Sequence, residues 1–295
     1  MKLDYKILWL DDKMDEILAD DYPNEIYDHL NNLGFKPSIV TSKNEKEFFD
    51  KLNDSYDLIL TDFHLDETTV NTRNGDAIIT EVRNRSIYTE IMFYSAQGDV
   101  ADTIKKDRIT FFDTRKATGN VHYEKIVEKA ITLIDLTVKK FQHIVAMRGM
   151  IMNETSSLDV EFTDILENLI LNNDQAIAKI KERYKKFNSD NSNEVDNLTL
   201  KDLLYKIGAS HRWKGLKENI AKDEIYSILL DYEKEIIITR NKFAHAVLER
   251  DENGRDYFKD KKDGIDFNEE RCREIRINIS KHKKNILELK KKIIT

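Results

Sequence analysis

Five short apolar runs, each closed by polar or charged residues, constrain the fold of this chain more than any other feature. Lys6-Ile7-Leu8-Trp9-Leu10 ends at Asp11-Asp12, and Pro37-Ser38-Ile39-Val40 is the second run. Tyr56-Asp57-Leu58-Ile59-Leu60-Thr61 ends at Asp62, and Ile91-Met92-Phe93-Tyr94 at Ser95-Ala96. Ile109-Thr110-Phe111-Phe112 is followed by Arg115-Lys116. Residues 22–33, 45–52, 76–84 and 123–136 between and after them read as helices. Buried strands alternating with helices predict an α/β fold with a doubly wound, five-stranded parallel sheet. In such sheets the polar site forms beyond the carboxyl ends of the strands.

The residues at those ends carry chemistry. Two adjacent aspartates follow strand one, an aspartate follows strand three, a serine strand four and a lysine strand five. Three carboxylates at one edge repel each other unless a hard cation joins them, and Mg²⁺ suits oxygen ligands. A carboxylate so placed can act as a nucleophile towards a phosphoryl group. With these residues in this order, residues 3–138 resemble the response-regulator receiver domain. The resemblance implies that Asp62 is the phosphoacceptor and that Asp11 and Asp12 are the acidic Mg²⁺ pair, with Asp62 and the backbone carbonyl of His64 as further ligands. It implies that Ser95 is the switch hydroxyl and Lys116 the phosphoryl-binding lysine. A sensor histidine kinase or another phosphodonor would be the partner. Three departures stand out. No Met-Pro follows the acceptor, the loop to Gly75 is long, and Lys116 precedes Ala117 where the family has proline. Arg115 is an alternative occupant of the lysine position.

Composition limits the rest. Two prolines and nine glycines in 295 residues favour helices over a loop-rich β fold. The single cysteine, Cys272, excludes an intrachain disulfide framework and a cysteine-rich zinc site. No signal-peptide core and no membrane-length apolar run is present, so a cytoplasmic protein without membrane contact is expected. A net charge of −7 counts against broad nucleic-acid binding, so any RNA contact needs a local basic surface.

The second half, expected over 139–295 after a receiver-like domain over 1–138, reads as all-α, a helical bundle. The apolar pattern of residues 122–154 predicts one long helix or two helices bent near Gly149. Met147, Met150 and Met152 read as core and dimer-interface filling. A long helix is expected from Glu224 to about Glu249, and a small hairpin from Tyr257-Phe258 towards Phe267. His211-Arg212-Trp213-Lys214 mixes cations with an aromatic, as single-stranded RNA sites do. The plainer reading puts Trp213 in the core. Lys281, Lys283, Lys284 and Lys290 to Lys292 could form a basic surface, and a solvated face is again the plainer reading.

Arg240-Asn241-Lys242-Phe243-Ala244-His245 is the other candidate site. Asn241 and His245 share a helical face, with Arg240 at its edge. Arg followed by a polar residue, with His five positions on, resembles the HEPN ribonuclease family over roughly the C-terminal half. The resemblance implies a homodimer whose paired motifs cleave RNA without metal. One His245 would take the 2′-OH proton, the other would protonate the leaving oxygen, Arg240 would stabilise the phosphate and Asn241 would orient. The combined expectation is a phosphorylation-regulated endoribonuclease. The alternative is a non-catalytic adaptor, a receiver joined to a helical dimerisation or protein-binding domain. No helix-turn-helix with a basic recognition helix is visible, so sequence-specific DNA binding is not expected.

Overall fold

The computed structural model describes residues 3–62, 65, 75–95, 108–116, 122–141, 144–187, 194–220, 229–252, 256–260, 263–265 and 267–294. The chain divides into two compact units, Lys2–Gln142 and His143–Thr295.

The first unit contains β1 (Asp4–Leu10), α1 (Met14–Ala19), α2 (Tyr22–Asn32), β2 (Lys36–Ser42), α3 (Glu45–Lys51), β3 (Leu58–Asp62), α4 (Gly75–Asn84), β4 (Glu90–Ser95), β5 (Ile109–Asp113) and α5 (His122–Phe141). The strands form one sheet in the order β2-β1-β3-β4-β5, parallel throughout. Strand side chains alternate between faces, so each central strand feeds two cores. Tyr5, Ile7, Trp9, Leu58, Leu60, Met92 and Tyr94 pack with Ile26 and Leu30 of α2 and Ile126, Val127 and Ile134 of α5. Leu8, Leu10, Ile59, Ile91 and Phe93 pack with Phe48 of α3 and Ile78, Ile79 and Val82 of α4. This is the doubly wound sheet expected from the five runs. The short helix α1 escapes sequence reading because its six residues are too few to show a period.

The second unit contains α6 (Ile144–Ile170), α7 (Asp174–Phe187), α8 (Leu200–Lys206), α9 (Ala209–Asn219), a π-helical segment (Glu233–Ile238), α10 (Thr239–His245), β6 (Val247–Arg250), β7 (Asp256–Asp260), β8 (Asp263–Ile265) and α11 (Glu269–Ile294). The central helix is α6, which buries Met147, Met150, Ile151, Leu158, Phe162, Ile165, Leu166 and Ile170. Helices α8, α9, α10 and α11 pack around it. A Cβ added at Gly215 of α9 would lie 3.1 Å from Ile180 Cδ1 and 3.2 Å from Leu166 Cδ2, so the glycine permits this close approach. Trp213 is buried among Phe162 and Tyr232, as the plainer reading held. Lys283 pairs with Glu154 and Lys290 with Glu161 and Asp164, which ties these lysines of α11 to α6.

Two expectations need adjustment. The helix through the Arg240–His245 stretch ends at His245 and does not continue to Glu249. Ala246 is extended (φ −72°, ψ 139°), and β-branched Val247 opens a strand that pairs antiparallel with β7. Strand β8 completes a three-stranded sheet, so the expected hairpin gains a strand and the helical unit is not purely helical. Residues 122–141 and 144–154 are helical, in α5 and α6. Gln142 and His143 between them lie outside the described residues. Gly149 lies within α6.

Candidate functional site

Strand register assembles the first site. Leu10 is opposite Thr61 in the β1–β3 pairing, so Asp11 follows on beside Asp62, and Asp62 is opposite Tyr94 in the β3–β4 pairing. Asp11 leaves the sheet with its amide donating to Ser42 O (3.1 Å). One carboxylate oxygen from each of Asp11, Asp12 and Asp62 lies within 4.8 Å of the other two. Asp11 is buried, Asp12 and Asp62 partly so. Three hard, anionic oxygen donors at that spacing fit Mg²⁺ better than a softer metal.

Asp11 is the most constrained of the three. Its Oδ1 accepts the Lys13 amide at 2.8 Å, and its Oδ2 accepts the Tyr94 hydroxyl. Trp9 Nε1 donates to Tyr94 Oη at 2.9 Å. Burial pushes the Asp11 carboxyl up to about 6, against the hydrogen bonds from Tyr94 and Lys13. Burial, with Asp11 and Asp62 nearby, also raises the Tyr94 hydroxyl well above its ordinary range. The same causes raise Tyr123, at the start of α5. Tyr94 is the residue that sequence reading missed. It precedes Ser95 on β4, but only the pairing of β3 with β4 puts it opposite Asp62.

Ser95, the last residue of β4, is buried and opposite Asp113. Lys116 closes a 3₁₀ turn, Thr114–Lys116, directly after β5. The Lys116 side chain and the expected His64 carbonyl ligand lie outside the described residues. Arg115 is exposed and forks onto Asp113, with Nε to Oδ1 and Nη2 to Oδ2 both at 2.9 Å.

The second site lies on α10. Asn241, Lys242 and His245, with Ile238 one turn earlier, line a pocket of about 590 Å³ completed by Val247, Glu249 and Lys259. These helix positions recur at three- and four-residue intervals and so form one stripe. Arg240 does not line this pocket. Its Nη2 lies 3.9 Å from Asp159 Oδ2, and the same oxygen is 3.1 Å from Arg212 Nη2. Arg212 also caps α8, donating from Nη1 to Leu204 O (3.0 Å) and Ile207 O (2.9 Å). Burial raises the Asp159 carboxyl, and the two guanidiniums act against that rise. Of the expected trio, Asn241 and His245 therefore share a pocket, and Arg240 faces Asp159 of α6. Lys242 and Lys259 line the pocket with His245, Lys259 lying 3.3 Å from Glu249, and Arg148 donates to the carbonyls of Ala244 and Ala246 on either side of His245.

No family model and no curated protein matches the chain. Among solved structures it is similar to a response regulator receiver domain protein from Clostridium thermocellum. That likeness has 18% identity and a TM-score of 0.30, and covers 45% of this chain and 98% of the other. Among the described residues, no helix is long and apolar enough to cross a membrane.

Proposed function

We propose that the first unit is a phosphoacceptor signalling module and that the second is its RNA-cleaving output. The meeting of Asp11, Asp12 and Asp62 at the carboxyl edge of a parallel sheet carries the first part. In this reading an Asp62 oxygen attacks the phosphorus of a phosphodonor such as a sensor histidine kinase, and the donor's leaving group departs. Ser95 and Lys116 hold the phosphoryl oxygens. Asp11, Asp12 and Asp62 would hold Mg²⁺, which would offset the charge gathered at the edge. Incubating the chain with a small acyl phosphate and Mg²⁺ tests this. Intact mass should rise by one phosphoryl group in wild type and stay unchanged in Asp62→Asn. An equal gain in both proteins, or none in wild type, refutes it.

The pocket holding Asn241, Lys242 and His245 supports the second part. A neutral imidazole can take the proton of a ribose 2′-OH as its oxygen bonds to phosphorus, and a protonated one from a second chain can give a proton to the 5′-oxygen as the P–O5′ bond breaks. Lys242 and Asn241 lie on the stripe where a phosphate would bind. RNA cleavage should persist in EDTA, disappear in His245→Ala, and fail on an oligonucleotide with one 2′-deoxy substitution at the cut site. Cleavage of the deoxy site rules the chemistry out. A second reading, a non-catalytic adaptor, draws on the exposed apolar residues Ile238 and Val247 that line the same pocket. Overexpression separates the two: a nuclease arrests growth in a His245-dependent way and an adaptor does not.

A further inference from the structure

We infer that Tyr94 is a positioning residue for the acidic edge. Its hydroxyl, fixed from behind by Trp9, holds Asp11 so that its carboxylate can join Asp12 and Asp62 around one divalent cation. The inference rests on the phosphoacceptor reading for the presence of that cation, and assigns a role to a residue outside the ligand set.

The direction of the hydrogen-bond chain is forced. An indole N–H can only donate. The Tyr94 oxygen therefore accepts from Trp9 Nε1, and its single hydrogen is left to donate to Asp11 Oδ2. All three residues are at most 1% exposed, so bulk water does not compete for these bonds. Strand geometry explains the meeting. Trp9 and Asp11 are two residues apart and share a face of the sheet. Tyr94 belongs to the same core cluster as Trp9 and is opposite Asp62. Phenylalanine would fill that core equally well, but it offers no donor.

The bond orients Asp11 without blocking it. Each carboxylate oxygen has about two acceptor positions. The Lys13 amide and the Tyr94 hydroxyl each take one, and among the described residues nothing else takes the position left on each oxygen. Partners that hydrogen-bond a metal ligand fix its orientation, and losing one costs roughly 10- to 100-fold in metal affinity.

Calorimetric titration of the full chain with Mg²⁺ alone tests this. Wild type should bind Mg²⁺ and Asp62→Asn should not. Tyr94→Phe should bind at least about tenfold more weakly, with an unchanged circular dichroism spectrum. In parallel, the Trp9 indole N–H resonance, assigned with Trp9→Phe, should move when Mg²⁺ binds wild type. In Tyr94→Phe it should not respond even when enough Mg²⁺ is added to restore binding. A Tyr94→Phe affinity within about twofold of wild type overturns the inference and leaves the metal site standing. If that variant does not fold, an unmoved Trp9 resonance in Mg²⁺-bound wild type overturns it instead. Absent binding in wild type, or full binding in Asp62→Asn, overturns the phosphoacceptor reading and this inference with it.

Discussion

Arg240 and His245 are five residues apart on one helix, which puts about 140° between them. The structure resolves that angle by giving each a separate environment. His245 lines an open pocket, and Arg240 shares Asp159 with the buried Arg212. The two arginines should respond differently to loss of a partner. Asp159→Ala leaves Arg212 buried without its carboxylate and should destabilise the protein by about 3 kcal/mol. Arg240→Ala removes a longer contact from a partly exposed side chain and should cost about 1 kcal/mol or less. Urea denaturation of both variants measures this, and equal losses would show that Arg240 is as deeply engaged as Arg212. If Arg240 also serves RNA cleavage, Arg240→Ala should lower the cleavage rate by more than its stability loss explains.

At the scale of the element, the π-helical segment Glu233–Ile238 runs directly into α10. Wider turns of this kind often occur at functional sites. Glu235 within it is anchored to α11 by Lys281 and His282, each at 2.7 Å. Burial pushes the Glu235 carboxyl up, but the hydrogen bonds from Lys281 and His282 outweigh it and hold the carboxyl low. Burial lowers the His282 imidazole in spite of Glu235. A neutral ring donating from Nε2 fits this, because a proton on the buried Nδ1 would find no acceptor. Below the ordinary histidine value of 6.5 the unfolded chain therefore takes up a proton that the folded chain resists. Stability should fall as pH drops through that value and recover above it. The Glu235 contribution is lost only below 4.5, a separate window. Unfolding free energies between about pH 7 and 5.5 should show a shallower slope in His282→Gln than in wild type. Identical slopes would mean that His282 does not titrate on unfolding.

At the scale of the whole molecule, the proposed chemistry needs two imidazoles, one neutral and one protonated, and each chain supplies one His245. Specific RNA cleavage should therefore fall on dilution through the dissociation range of a dimer, and follow a bell-shaped pH curve. Sedimentation at matched concentrations supplies the dimer fraction. Activity per chain that is independent of concentration while the dimer dissociates would rule out the paired mechanism. The first unit carries a separate prediction, since the proposed phosphorylation at Asp62 requires only one chain.

The doubly wound sheet was legible from sequence because burial on both faces leaves continuous apolar runs, and the aspartates that end them mark one edge of the sheet. The stripe of Asn241 and His245 was legible because helical spacing depends only on position in the chain. Three features were not. The helix end at His245 depends on Val247 pairing with Lys259, because the Asn253-Gly254 step marks a turn but not where the strand before it starts. The orientation of Arg240 depends on Asp159, far earlier in the chain, and on Arg212 already bound to it. The role of Tyr94 depends on strand order, since only the β1-β3-β4 arrangement brings its hydroxyl to Asp11. Local spacing is encoded residue by residue along the chain. Partnerships across strands and between helices arise only when distant segments compete for the same buried donors and acceptors.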